Sequence, residues 1–164
     1  KLLIKDRITR QGPNGFVARN EHMGLGLVGR TLGSVGIGNI GAEMFRLAAP
    51  LGMKFIAHDP FADLSLATEL GVDLVDLDTV FAQSDVISIN CPLTPDTHHL
   101  VNTSRLSQMK PTAYLINTAR GSIVDQGALT LALRNGSIAV ADEFVDRALA
   151  KIDAEVKRLK ELAE

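Results

Sequence analysis

The chain has 164 residues, enough to bury the core of one domain. Its 17 basic and 19 acidic residues leave a net charge of −2, which gives no reason to expect nucleic acid or an anionic membrane as a partner. The single cysteine, Cys91, excludes an intrachain disulfide and favours a reducing, cytoplasmic environment. No apolar run reaches the roughly 18 residues that a membrane span needs, and no ligand spacing predicts a metal site.

Residues 1–30 form a lead-in segment in which basic side chains outnumber acidic ones. The Gly-Pro-Asn-Gly run at 12–15 predicts a loop. Because the charges are spread along the segment, we interpret it as a solvated lead-in with a short helix. A functional basic patch is the alternative interpretation.

From Thr31 onward, short apolar runs alternate with helical stretches, which predicts βαβ crossovers and a parallel sheet. Continuous apolar runs such as 86–89 suit strands that are buried on both faces. The predicted strands are 31–37, 53–57, 72–75, 86–89, 113–116 and 138–141. The predicted helices are 39–51, 64–70, 77–83, 104–109 and 126–134. The pattern indicates an α/β fold with about six strands in the doubly wound order 3-2-1-4-5-6 and ligands at their carboxyl ends.

A G-x-G-x-x-G pattern, formed by Gly36, Gly38 and Gly41, lies between the first predicted strand and the first predicted helix. Gly36 permits a tight turn, Gly38 lets the backbone approach a pyrophosphate, and Gly41 lets helix and strand pack closely. The helix N-terminus supplies free N–H groups and the positive end of its dipole. In this context the pattern predicts a three-layer Rossmann fold that holds a dinucleotide.

Asp59 ends the second predicted strand, eighteen residues after Gly41. A carboxylate there accepts hydrogen bonds from both ribose hydroxyls of the adenosine and would repel a 2′-phosphate, so NAD is favoured over NADP. The alternative is a helix-capping role, for which Asp63 is better placed. We interpret the adjacent His58 as a neighbour of the site.

The loop 90–95 follows the fourth predicted strand and contains two prolines, which stiffen it beside the adenine and the bridging ribose. We interpret Cys91 in this loop as a small packed thiol, since no histidine or metal-ligand spacing supports reactivity. His98 and His99 are predicted to lie on the surface or behind the residues that contact ligand.

Arg120 leaves the fifth predicted strand just before a turn at Gly121, at the expected position of the nicotinamide. A guanidinium there binds a substrate carboxylate through two parallel hydrogen bonds and orients the adjacent carbonyl. The alternative is a salt bridge within the domain.

Residues 29–141 resemble the NAD-binding domain of the D-2-hydroxyacid dehydrogenases, a family that includes phosphoglycerate, glycerate, D-lactate and formate dehydrogenases. The matching stretches are Gly-Arg-Thr-Leu-Gly at 29–33, Gly-Ile-Gly-Asn-Ile-Gly at 36–41, His-Asp-Pro at 58–60, Cys-Pro-Leu-Thr-Pro-Asp-Thr at 91–97, Met-Lys-Pro at 109–111 and Asn-Thr-Ala-Arg-Gly at 117–121. Several independent motifs in the same order make a chance match improbable.

The resemblance implies a role for each matched position. The implied NAD contacts are Gly36, Gly38, Asn39, Ile40 and Gly41 at the pyrophosphate, Asp59 and Thr97 at the ribose, Cys91 and Pro92 at the adenine, and Thr118, Ala119, Arg120 and Asp142 at the nicotinamide. Arg120 is also the implied catalytic-site residue, which binds the carboxylate of a 2-oxo acid. The resemblance further implies a homodimer that pairs through this domain.

The chain departs from the family pattern after the sixth predicted strand. The family has a catalytic Glu, a catalytic His and a second, substrate-holding domain, whereas the histidines here are His22, His58, His98 and His99. Hydride transfer needs a general acid or base within reach of the substrate oxygen. We therefore expect a truncated or engineered derivative, with an NAD-binding domain over 31–144 that binds cofactor without efficient turnover.

Residues 145–164 contain no Gly, Pro, Ser or Thr, and their apolar positions follow a 4-3-4-3-4 spacing that predicts a C-terminal amphipathic helix. The helix is expected either to pack on its own domain or to bind a partner or a second copy. In the latter case the chain would be an engineered scaffold or self-assembling protein.

Overall fold

The computed structural model describes residues 26–138. It contains the strands β1 (Thr31–Val35), β2 (Lys54–His58), β3 (Val72–Leu74), β4 (Val86–Ile89) and β5 (Tyr114–Asn117). Its helices are α1 (Asn39–Ala48), α2 (Leu64–Glu69), α3 (Leu77–Gln83), α4 (Thr103–Gln108) and α5 (Gln126–Arg134), with short 3-10 turns at Ala49–Leu51 and Gly121–Ile123. Most of the lead-in segment, most of the predicted sixth strand, Asp142 and the predicted helix over 145–164 lie outside the described residues.

The five strands form one parallel sheet in the order β3-β2-β1-β4-β5. This order confirms the doubly wound α/β prediction for the first five strands. After β3 the chain crosses back over the sheet, and β4 pairs in parallel with the free side of β1. The strands β2 and β3 therefore lie on one side of β1, and β4 and β5 lie on the other. The carboxyl ends of β1 and β4 therefore flank the crevice where such folds bind ligands.

Two elements end at least two residues earlier than predicted, and each has a local cause. β1 stops at Val35 because Gly36 adopts a φ of +96°, which turns the chain out of the strand. α1 stops at Ala48 because Pro50 follows, which lacks the N–H that the helix needs, and the chain continues as a 3-10 turn.

Four helices begin at an Asp or Asn whose side chain accepts a backbone N–H of the first turn. These residues are Asp63, Asp76, Asn102 and Asp125. Hydrogen bonds from the Ser65 and Thr79 hydroxyls, together with the backbone N–H groups, hold the pKa of Asp63 and of Asp76 below the usual range. The Ala128 N–H lowers the pKa of Asp125 in the same way. As predicted, Asp63 caps its helix, which leaves Asp59 free for another role.

The opposite, amino-terminal edge of the sheet is held by Asp85, which immediately precedes β4. Its carboxylate accepts the Thr31 N–H at 2.9 Å and pairs with Arg30 and Lys110, both at 3.2 Å. Burial opposes the charge, but the Thr31 hydrogen bond and the two cations lower the pKa of Asp85 below its usual range. This Asp85 cluster connects β1, β4 and the segment that leads into β5.

Candidate functional site at the carboxyl edge of the sheet

The glycine loop joins β1 to α1, and two of its glycines are required by close contacts. A Cβ on Gly36 would lie 2.9 Å from the backbone nitrogen of Cys91, and one on Gly41 would lie 2.5 Å from the carbonyl oxygen of Gly36. A Cβ on Gly38 would meet no atom within 4 Å. The protein itself gives no steric reason for glycine at position 38, so the open space there is suited to a ligand that approaches the backbone.

The N-terminus of α1 is prepared for an anion. Gly38 is the N-cap, no side chain caps the first turn, and no acidic residue lies in that turn. The first helical hydrogen bond runs from the Ala42 N–H to the Gly38 carbonyl. Uncapped N–H groups at the positive end of the helix dipole form a ready binding place for a phosphate group.

Asp59 at the end of β2 is held in place by backbone hydrogen bonds. Its Oδ2 accepts the Ile37 N–H at 3.0 Å, and its Oδ1 accepts the Phe61 N–H at 2.9 Å. A carboxylate has about four lone-pair sites, so both oxygens retain capacity to accept ribose hydroxyls. The Ile37 contact also fixes the glycine loop relative to β2 before any ligand arrives.

A buried polar network below the glycine loop was not predicted. Ser34 is fully buried and donates its hydroxyl to the Gly36 carbonyl at 2.6 Å. The Asn90 side-chain amide in turn donates to Ser34 Oγ at 2.9 Å and to Ser88 Oγ at 3.2 Å. The sequence did contain a signal for this network, namely Ser34 and Ser88 inside the apolar runs of β1 and β4. A hydroxyl that is buried in a strand requires a hydrogen-bond partner.

Two cavities open along this edge of the sheet. The Asp59 cavity, about 430 Å³, is lined by a set that includes Gly36, Gly38, Asp59, Cys91, Pro92 and Thr97. The Arg120 cavity, about 500 Å³, is lined by a set that includes Ile40, Cys91, Pro92, Thr118, Ala119 and Arg120. Cys91 and Pro92 line both cavities, so the loop after β4 separates them.

The predicted site residues therefore come together, with three exceptions. Asn39 and Gly41 line neither cavity and belong to the start of α1. Asp142 lies outside the described residues. Each of the remaining ten predicted positions lines at least one of the two cavities, and Cys91 and Pro92 line both.

Arg120 is exposed at the second cavity and is presented by a turn that Asn117 holds together. The Asn117 amide donates to the Arg120 carbonyl at 2.9 Å, and its Oδ1 accepts the Ala119 N–H at 3.1 Å. The guanidinium donates to the Ala119 carbonyl at 2.8 Å. Among residues 26–138, no carboxylate pairs with Arg120, so the alternative of an internal salt bridge gains no support there.

Cys91 is buried between the two cavities. Burial raises the pKa of its thiol, and the negative charge of Asp59 acts in the same direction. A thiol that stays protonated at neutral pH is a poor nucleophile, which agrees with the interpretation of Cys91 as a packed side chain.

The described histidines are not arranged for chemistry at the Arg120 cavity. His58 lines the Asp59 cavity, and its Nδ1 forms a 3.0 Å hydrogen bond with the Val75 carbonyl. His98 and His99 are exposed, as predicted, and stack with ring centroids 3.9 Å apart. Neither His98 nor His99 lines either cavity.

The site suits an elongated, anionic ligand. An open backbone stretch at Gly38 and an uncapped helix N-terminus lie near two cavities, one with a carboxylate and the other with a guanidinium. A dinucleotide has the matching parts, namely a central pyrophosphate between two nucleosides. In the described part of the chain, no helix is long and apolar enough to cross a membrane, and no three metal-ligating side chains come together.

Comparison with known proteins agrees with this geometry. The family model for the D-isomer specific 2-hydroxyacid dehydrogenase NAD binding domain matches residues 3–155. The chain is 44% identical over 115 residues to the D-lactate dehydrogenase of Escherichia coli, covering 70% of this chain and 35% of that protein. It is 44% identical over 143 residues to the glyoxylate reductase of Korarchaeum cryptofilum, covering 86% of this chain and 43% of that protein.

A solved structure extends the comparison to three dimensions. The D-lactate dehydrogenase from Aquifex aeolicus, complexed with NAD and lactic acid, matches with a TM-score of 0.73 and 38% identity, over 82% of this chain and 39% of that one. The chain thus spans less than half the length of these relatives. The family match, the sheet order and the glycine loop together establish that this chain belongs to the D-isomer specific 2-hydroxyacid dehydrogenases and carries their NAD-binding domain.

Proposed function

We propose that this chain binds NAD(H) along the carboxyl edge of its sheet. The adenosine occupies the Asp59 cavity, the pyrophosphate crosses Gly38 and the first turn of α1, and the nicotinamide enters the Arg120 cavity. The observation that carries the proposal is the open space at Gly38, beside glycines whose Cβ positions are blocked by the protein itself.

Each residue has a definite task in this proposal. Asp59 accepts the ribose hydroxyls with the lone pairs that Ile37 and Phe61 leave free. Arg120 binds the carboxylate of a 2-hydroxy or 2-oxo acid and orients the carbon that reacts. The bound cofactor supplies hydride exchange with the CH–OH group of such an acid.

We further propose that this chain, on its own, turns over little substrate. Exchange at a CH–OH group needs a proton acceptor within hydrogen-bond reach of the substrate oxygen. Among residues 26–138, no histidine lines the Arg120 cavity. In this proposal the chain holds the cofactor and the substrate carboxylate, but residues 26–138 place no histidine base beside them.

A fluorescence titration tests the binding proposal. NADH emission should rise saturably with the native chain and stay flat with Asp59→Arg, because the carboxylate is lost and a bulky cation takes its place. Asp73→Arg makes the same charge change on β3, outside both cavities, and should bind normally. If the native chain gives no response at millimolar NADH, the proposal is wrong.

Turnover is measured separately. NADH absorbance with several small 2-oxo acids should decline no faster than in the absence of protein. Steady consumption with any of these acids would contradict the proposed lack of turnover while leaving the binding proposal intact.

We also propose that two copies associate through the outer face of α1. Val28, Leu47 and Leu51 are 83%, 70% and 42% exposed. Val28 lies against Gly52, next to Leu51, and Leu47 precedes Leu51 by four residues, about one helical turn. Exposed apolar side chains grouped in this way mark an interface. Light scattering tests this proposal: the Leu47→Lys chain should have the mass of a monomer. The control Leu131→Lys, at an exposed position of α5, should keep the dimer mass expected of the native chain. A monomeric native chain would refute this proposal.

A further inference from the structure

Half of one face of the sheet is left open by the described helices. Tyr114 and Ile116 alternate along β5 and therefore share a face, and their side chains are 59% and 45% exposed. Leu115, between them, faces the other way and packs into the apolar cluster that α3, α4 and α5 form with the sheet. Parallel sheets are normally covered on both faces. Among residues 26–138, no helix buries Tyr114 or Ile116.

The open area is bounded on one side by α1. Val86 of β4 is the registered neighbour of Tyr114, and it packs against the same apolar cluster as Met44 of α1. The Met44 sulfur also lies 3.8 Å from the Asn90 amide nitrogen, just beyond β4. We call the surface formed by Met44, Val86, Tyr114 and Ile116 the open β5 face.

The open β5 face has room for one helix. Packed helices lie about 8–10 Å apart, which is about two strand spacings. α1 packs over β1 and β2, since Phe45 lies 5.0 Å from Phe55 between ring centroids and shares an apolar cluster with Leu32. A helix beside α1 would therefore lie over β4 and β5. The other flank of α1 is taken by α2, because Arg46 pairs there with Glu69 at 3.6 Å.

The described part of the chain ends close to β5. Ile138, its last residue, is 6% exposed and belongs to the same apolar cluster as Ala113, which directly precedes β5. The predicted sixth strand, 138–141, starts at this residue and lies beside β5 in the predicted strand order. Such a strand would place residue 142 at the carboxyl edge of the sheet. The predicted helix over 145–164 would then begin three residues later, next to the end of β5.

This predicted helix has the length and the apolar pattern that the open β5 face requires. A helix over 145–164 would extend about 30 Å, whereas the four residues of β5 span about 13 Å. Its apolar positions form one seam, namely Val145, Leu149, Ile152, Val156, Leu159 and Ala163. A seam of this kind would cover Ile116 and then Tyr114, while the charged positions face solvent.

We propose that residues 145–164 fold back as a helix and pack on the open β5 face of their own chain. The helix runs from the carboxyl edge of the sheet towards the amino-terminal edge, antiparallel to the strands. Leu47 stays outside this contact, because it follows the buried Phe45 by two positions and points away from the sheet. The proposal is therefore compatible with association through the outer face of α1, and it does not rest on cofactor binding.

Tyrosine fluorescence of the full chain tests the proposal. Tyr114 is the single tyrosine and the chain has no tryptophan, so acrylamide quenching reports the exposure of this side chain alone. The quenching constant of the native chain should be severalfold lower than that of N-acetyltyrosinamide. Ile152→Ser combined with Val156→Ser should raise it towards that reference value, because the seam becomes polar. Arg158→Ser combined with Glu161→Ser is the matched control on the opposite side of the helix, and it should quench like the native chain.

A disulfide experiment shows whether the covering helix belongs to the same chain. Ile116→Cys combined with Leu149→Cys should form a disulfide on mild oxidation and give a faster band of single-chain mass on a non-reducing denaturing gel. Ile116→Cys combined with Arg147→Cys should not, because position 147 lies on the other side of the helix. The native Cys91 is buried and is the same in both variants.

Each outcome supports or overturns the proposal. If Tyr114 in the native chain is quenched as freely as N-acetyltyrosinamide, the face is open and the proposal is wrong. Protection that disappears on dilution, or a cross-linked band of twice the chain mass, assigns the face to a second copy and also overturns it. Protection that persists when the seam is made polar assigns the cover to another part of the chain, with the same consequence. None of these measurements involves NADH, so they leave the proposed function untouched.

Discussion

Alanine at Gly41 and alanine at Gly38 add the same methyl group to one loop, yet the structure predicts different consequences. At Gly41 the new Cβ would lie 2.5 Å from the Gly36 carbonyl oxygen, whereas ordinary contact begins at 3.4 Å. α1 would have to retreat from the loop by about 0.9 Å. Overpacking of this kind costs about 1–3 kcal/mol, so Gly41→Ala should lower the free energy of unfolding by that amount.

At Gly38 the backbone φ is −63°, which any residue adopts, and the methyl group would enter open space. The free energy of unfolding should therefore change by less than about 1 kcal/mol. The same methyl group would stand where the pyrophosphate approaches the backbone. Since a hydrogen bond to a charged group contributes about 1.5–3 kcal/mol, NADH affinity should fall roughly tenfold or more.

Urea unfolding, followed by circular dichroism, and NADH titration on the same three proteins give both quantities. Gly41→Ala should lower the unfolding midpoint with an unchanged slope, which indicates a change in stability alone. Gly38→Ala should keep the midpoint and lose affinity. A Gly38→Ala chain that binds NADH like the native chain would refute the placement of the pyrophosphate, and an unchanged midpoint for Gly41→Ala would refute the packing argument.

Three further outcomes are expected. Asp85→Asn should lower the free energy of unfolding by about 1–3 kcal/mol at pH 7. Because the folded-state pKa of Asp85 is depressed, its contribution is present above the unfolded pKa of about 4 and disappears as the pH falls through the folded value, so the two unfolding curves should converge in acid. Ser34→Ala removes the donor to the Gly36 carbonyl and should cost about 1–3 kcal/mol in unfolding experiments and weaken NADH binding. Cys91 should react with iodoacetamide much more slowly than free cysteine at pH 7.5, and fast modification would contradict its raised pKa and burial.

Local sequence patterns were sufficient to predict most of the helices and strands and the order of the strands in the sheet. β4, α3 and α5 have the predicted bounds, because each is a continuous apolar run or begins at a capping aspartate. The sheet order of the first five strands followed from the alternation of strands and helices. Most of the predicted site positions line the two cavities, because they lie close to the carboxyl ends of strands.

Contacts between distant parts of the chain could not be predicted in the same way. Asp85 meets Arg30 across 55 positions, and Asn90 meets Ser34 across 56, so no short-range pattern connects them. Each of these features depends on how strands lie side by side, which a single sequence does not show.

The Asp85 cluster and the ligand cavities lie at opposite edges of the sheet, separated by the length of β1 and β4. A strand of five residues spans roughly 16 Å, so a group attached at one edge does not reach the other edge directly. Lys54 is exposed at the start of β2, at the edge that carries Asp85. Coupling the protein to a solid support through Lys54 would therefore present both cavities to solution, in the orientation that an NADH sensor requires.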